Sequence, residues 1–328
     1  MVANFGSRAS FSPVTNFCMR CLLAFLLGLV VCALPARAAE PVLPEYGTPL
    51  SEPFFKQGDV IALVGGEDMV VANELGSLET DLQKGFPQLH LKVRSLAWEG
   101  DTVFEQHRDL NYPALETQLD KIGATVVVCW FGQMESLRGS EKVDEFLAAY
   151  RALLARLSGG GKRRFLILTP PVLSGTGGND GNKNLVLYAE KIAAMEKAPG
   201  MQIYKNEGSA RFRYFRDGVH LNKSRQEIVA SRLAYFVGVC SEFVPFAEMP
   251  SDEALHAKVL EKNRLWFEYT RPQNWAFLAG DRTNQPSSRD YKDPSKRWFP
   301  VEMEEFVPLI EKKDAEIWEA AGRLGGKK

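Results

Sequence analysis

The chain has 328 residues, 45% of them hydrophobic and 25% charged, which excludes collagen-like, low-complexity and extensively disordered proteins. Forty basic and forty-one acidic residues leave a formal charge of −1, so the overall cationic surface that nucleic-acid binding needs is absent and no nucleic-acid partner is expected.

The first 38 residues read as a secretory signal peptide. Arg20 precedes the apolar run from Cys21 to Pro35, and Ala36-Arg37-Ala38 supplies a small-residue cleavage site, with cleavage expected after Ala38. The run is shorter than the roughly 20 residues of a membrane span, so export and cleavage are expected rather than a permanent anchor. Cys32 does not read as a lipobox cysteine, because Val31 precedes it. Processing removes three arginines and no acid, which takes the formal charge from −1 to −4. It also leaves Cys129 and Cys240 as the remaining cysteines, both expected as separate buried thiols, although an oxidising compartment leaves a pairing open.

After a proline-rich lead-in over 39–57, short apolar runs alternate with amphipathic stretches. Strands are expected at 59–65, 89–97, 124–131, 164–170 and 201–205, and helices near 70–85, 112–122, 141–157, 182–198 and 222–240. The runs at 124–131 and 164–170 are apolar on both faces, as in central strands covered on each side. The pattern implies an α/β fold with three α/β/α layers and about five parallel strands over 58–245. From 246 to 328 the rhythm becomes helical, with helices expected at 251–269 and 302–323, and this region reads as an appendage docked on the first.

In such folds ligands bind beyond the carboxyl ends of the strands. The loops there read Gly65-Gly66-Glu67-Asp68-Met69, Trp98-Glu99-Gly100-Asp101-Thr102, Gly132-Gln133-Met134-Glu135-Ser136 and Asp217-Gly218-Val219-His220. In this order they resemble the blocks of the SGNH (GDSL-like) hydrolases, a family of esterases, thioesterases and carbohydrate esterases with a flavodoxin-like fold. The stretches 182–192 and 263–277 are further similar to exported members with a helical C-terminal tail.

The resemblance implies an oxyanion-binding role for the backbone of Gly100 and an acid–base pair in Asp217 and His220. It also exposes two departures. The nucleophilic serine is replaced by a carboxylate, Glu67 or Asp68 according to register, and the oxyanion asparagine by Met134, which offers no N–H. What the resemblance implies is an exported protein of esterase ancestry, impaired in hydrolysis, with a small-molecule ester or glycan as ligand and no cofactor. Three alternatives stay open: water activated by a carboxylate with His220, a non-catalytic glycan-binding module, and a divalent cation held by Glu67, Asp68, Asp217 and His220.

Several residues have plainer readings. Asp217 and His220 could cap the helix that follows; His90, His107 and His256 read as surface or packing residues. Glu99 and Glu135 read as solvated loop carboxylates, and the glycine-rich stretch 174–184 as a rim lacking the spaced carboxylates of a calcium loop. Trp266, Phe267, Tyr269, Trp275 and Phe277 read as aromatics that dock the tail, with sugar stacking as the alternative. Arg271 and Asn274 are the tail residues expected to approach the cleft. Oligomeric state is not encoded in any of these patterns.

Overall fold

The computed structural model describes residues 50, 52, 54–172, 180–206, 215–217, 219–238 and 252–325. The leader, most of the lead-in, residues 174–179 of the rim expected at 174–184, and Cys240 lie outside the described residues. Among the described residues no helix is long and apolar enough to cross a membrane.

Five parallel strands form one sheet: β1 (Val60–Gly65), β2 (Lys92–Ser95), β3 (Val126–Trp130), β4 (Arg164–Leu168) and β5 (Met201–Tyr204). Their spatial order is β2-β1-β3-β4-β5. The chain therefore winds outward in both directions from β1 and β3, and the crevice between their carboxyl ends is the switch point of the topology. Successive β3 residues serve opposite layers, as the two-residue period requires. Val126, Val128 and Trp130 join one core cluster, and Val127 and Cys129 join the other.

One layer is packed by α1 (Glu67–Leu75), α2 (Ser77–Gly85) and α6 (Lys223–Gly238), and the other by α3 (Leu115–Lys121), α4 (Val143–Leu157) and α5 (Asp180–Ala193). The C-terminal region is helical, with α7 (Glu253–Thr270), the short α8 (Trp275–Leu278), α9 (Trp298–Glu304) and α10 (Phe306–Gly325). It packs along the β2 edge. There Trp266 donates its indole N–H to Ser95 O at 2.7 Å and Trp318 donates to Leu91 O at 2.9 Å.

Three expected elements differ in the structure, one being the helix expected over 302–323, which is broken at Glu305 into α9 and α10. The single helix over 70–85 is two, because Gly76 takes a left-handed conformation with φ of 68°. A Cβ at this break would lie 3.0 Å from Leu260 and 3.2 Å from Val259, so α7 packs directly on it. The strand expected at 89–97 pairs only over four residues, since a 3₁₀ turn at Pro87–Leu89 and His90 at φ of 51° hold its start out of the ladder.

Three of the five aromatic tail residues dock as expected, Trp266, Tyr269 and Trp275, whereas Phe267 and Phe277 do not. Trp266 is buried, Tyr269 receives a hydrogen bond from Lys121 Nζ, Trp275 donates to Leu110 O, and Phe277 packs on Phe299 within the tail. Phe267 remains 45% exposed. His90 stacks on Trp318, His256 Nε2 lies 2.7 Å from Leu75 O, and His107 pairs with Glu105 on the surface.

Candidate functional site

Strand β1 ends in two glycines for a steric reason. A Cβ on Gly65 would fall 2.6 Å from Trp130 O, and one on Gly66 would fall 2.9 Å from Asp101 O. The close approach brings the start of α1 against both the third strand and the loop after the second. The carboxylates of Glu67 and Asp68 consequently sit in the first turn of a helix, where its dipole favours negative charge.

Adjacent in sequence, these two carboxylates have different surroundings. Glu67 is half-buried and accepts a hydrogen bond from Arg216 Nη2 at 2.9 Å. Asp68 is buried, and its Oδ1 accepts from Leu221 N at 3.0 Å and Gln226 Nε2 at 3.2 Å. Its Oδ2 is buried without a partner among the described residues. Burial raises the Asp68 carboxyl to about 7, further helped by Glu67 and Asp217, while the Leu221 N–H and His220 oppose the rise.

The fourth loop is a narrow turn in which Phe215 and Leu221 bridge antiparallel and Arg216 N donates to His220 O at 2.8 Å. Within it Asp217 Oδ1 accepts from Val219 N at 3.0 Å and His220 N at 2.8 Å. Its Oδ2 lies 2.7 Å from His220 Nδ1, which donates because an ionised carboxylate can only accept. Partial desolvation would raise the Asp217 carboxyl, yet these bonds hold it well below the usual carboxylate range. Asp217 thus fixes the imidazole tautomer, and His220 Nε2 makes no hydrogen bond among the described residues. The capping role for this pair is corrected: Asn222, through Oδ1 to Arg225 N at 3.1 Å, caps α6.

Gly100 is exposed at the tip of a turn closed by Asp101 N donating to Trp98 O at 3.0 Å, and the space where a Cβ would stand is open. Asp101 is buried and accepts from Arg108 through both carboxylate oxygens at 2.6 and 2.8 Å. Met134 is 42% exposed at the start of a 3₁₀ turn, so it is not part of the packed core.

Glu135 departs from the solvated carboxylate expected of it. It is buried, and accepts from Val103 N at 2.9 Å and from Gly132 N at 2.8 Å, so one side chain ties the second loop to the third. Burial raises its carboxyl pKa against these N–H donors. Glu99 is exposed but paired with Arg271 at 2.8 and 3.0 Å. The Arg271 guanidinium also lies 4.4 Å from the Trp98 ring centre and bonds Ala97 O. Arg271 therefore reaches the loop that carries Gly100, whereas Asn274 stands at the start of α8 within the tail.

Three contributors to this region are not among the residues singled out from the sequence. Gln133 donates its amide to Val219 O and so joins the third loop to the histidine loop. Arg216 engages Glu67, and Glu74 stands close enough to Glu99 and Glu67 that they add to the rise that burial causes in its carboxyl pKa. Arg216 beside Asp217 and Gln133 beside Met134 are adjacencies that could have flagged two of them. Among the described residues no group of three or more His, Cys, Asp or Glu side chains is placed to hold a metal ion. Glu67, Asp68, Asp217 and His220 do not converge on one.

No family model matches the chain, and no curated protein matches it. Solved structures similar to it include an acetylxylan esterase from Geobacillus stearothermophilus, at 14% identity and a TM-score of 0.46 over 58% of this chain and 100% of that one. A lipase from a goat rumen metagenome matches at 15% identity and a TM-score of 0.43, over 55% and 98% of the two chains. A gut microbial diltiazem-metabolizing enzyme matches at 14% identity and a TM-score of 0.44, over 57% of this chain and 48% of its own, so this chain spans about half of that enzyme.

Proposed function

We propose that this is an exported SGNH-type protein of ester-hydrolase ancestry whose cleft binds an acyl or carbohydrate ester without efficient turnover. The observation that carries the reading is the fate of the two carboxylates at the nucleophile position. Glu67 is paired with Arg216, and Asp68 is buried with Oδ1 held by Leu221 and Gln226. Neither is presented to a substrate as an attacking group. Met134 adds no donor, and loss of one oxyanion donor costs about 3 to 4 kcal/mol in hydrolases. A triad without its nucleophile retains only about 10³- to 10⁴-fold catalysis over water.

One observation favours a second reading. The 2.7 Å contact between His220 Nδ1 and Asp217 Oδ2 supports a reading in which His220 Nε2 takes a proton from water attacking an ester bound over Gly100. Assays of residues 39–328 on p-nitrophenyl acetate and acetylated xylooligosaccharides separate the two. Hydrolysis at the level of the His220→Ala variant, together with a rise in melting temperature on adding the oligosaccharide, is expected. Turnover that His220→Ala abolishes would overturn the impaired reading in favour of the water mechanism.

A further inference from the structure

A second cavity lies away from the carboxyl-end cleft, between the β2 edge of the sheet and the helical tail. Its volume is about 520 Å³, within the range of pockets that enclose a small organic molecule. Four aromatic side chains line it: Tyr112 from the loop before α3, Trp266 and Tyr269 from α7, and Trp275 from α8. Leu96, Ile122 and Leu278 continue the wall, and Met303, Val307 and Ile310 close it from α9 and α10.

The polar atoms of this lining are largely engaged already. Trp266 donates to Ser95 O, Trp275 to Leu110 O, and Tyr112 Oη to Thr270 O at 2.5 Å. Tyr269 Oη meets Lys121 and Glu304, Arg94 is paired with Asp314, and Gln118 donates to Pro113 O. With most of those donors and acceptors committed to the protein, the cavity offers mainly apolar surface: aliphatic side chains and the rings, of which Trp266 already carries the Arg94 guanidinium at 5.3 Å and Tyr269 the Lys121 ammonium at 5.1 Å on one side. Lys92 and Glu311 are lining charges that form no ion pair among the described residues, and their opposite signs select for no net ligand charge.

We propose that this cavity is a binding site for an uncharged, apolar, ring-bearing small molecule, held by stacking on Tyr112, Trp266, Tyr269 and Trp275. Aromatic faces favour offset and edge-on contact with another ring, which adds to the area that an apolar ligand buries. The site stands on tail–core packing alone and is independent of what the carboxyl-end cleft does.

N-phenyl-1-naphthylamine, a neutral aromatic fluorophore, is a direct probe for the intact protein. Saturable enhancement of its emission is expected, with energy transfer from tryptophan excitation because Trp266 and Trp275 form the walls. Val307→Trp and Met303→Trp each place a large ring into the cavity from a half-buried position. Each is expected to weaken probe affinity at least tenfold while the parent's melting temperature is kept within a few degrees. Two variants guard against a folding defect in either one. Absence of saturable binding, or affinity unchanged in both folded variants, would overturn the proposal.

Discussion

The seam between tail and sheet edge and the cleft at the carboxyl ends are built from the same ionic side chains under opposite conditions. In the seam, Lys262 of α7 is fully buried and donates to Glu79 of α2 at 2.6 Å and to Val93 O at 2.9 Å. Close by, the two terminal guanidinium nitrogens of Arg94 on β2, Nη1 and Nη2, meet the buried Asp314 of α10. In the cleft, Arg216 and Glu67 are 52% and 22% exposed. Desolvation makes a buried charge depend on its partner, whereas water substitutes for the partner of an exposed one. The seam therefore fixes the tail in place, while the Arg216–Glu67 pair stays open to solvent.

The largest expected effect tests the seam. Lys262→Met leaves Glu79 buried and unpaired and is expected to cost about 3 to 5 kcal/mol in urea unfolding. Adding Glu79→Leu should recover most of that loss, because replacing both members of a buried pair by apolar groups is close to neutral. A double variant as unstable as the single one would mean that the pair does more than neutralise itself.

The middle effect lies where the two environments meet, at Asp68, a cleft residue that is buried like those of the seam. A carboxyl near 3.9 in the unfolded chain and near 7 in the folded one binds a proton on folding between those values. Its contribution to stability is complete below pH 4, falls as pH rises through 7, and is constant above. Asp68→Asn keeps an Oδ1 acceptor for Leu221 and Gln226 and never ionises. The variant should match the parent's melting temperature near pH 4 and exceed it increasingly up to about pH 8. A difference that does not change with pH would remove Asp68 as its source.

The legible part of this molecule was whatever repeats or sits close in the chain. The five strands followed from apolar runs, and the Asp217–His220 contact spans three residues of one turn. What crosses the fold was not legible. That Arg216 would claim Glu67 involves 149 residues of separation, and Glu135 reaches Val103 across 32. A loop carboxylate carries no local mark of burial, so Glu135 read as solvated until the second and third loops were brought together. The break at Gly76 was hidden for a related reason. A glycine inside a helical pattern shows that a turn is permitted, but α7 packing on that turn is a tertiary fact.

Arg271 gives the smallest effect and the sharpest boundary between the two regions. It belongs to the tail, yet its guanidinium bonds Glu99, stacks on Trp98 and bonds Ala97 O, three residues immediately before Gly100. Its own side chain is 15% exposed but Glu99 is 50% exposed, so water competes for the carboxylate. Arg271→Ala is expected to cost about 1 kcal/mol, with part of the loss disappearing at high salt. Arg271→Lys should resemble the alanine variant more than the parent, because an ammonium supplies neither the two-pronged contact nor the flat face. If Arg271→Ala cost as much as Lys262→Met, without dependence on salt, the loop beneath Gly100 would belong energetically to the seam, and the cleft would be held by the tail.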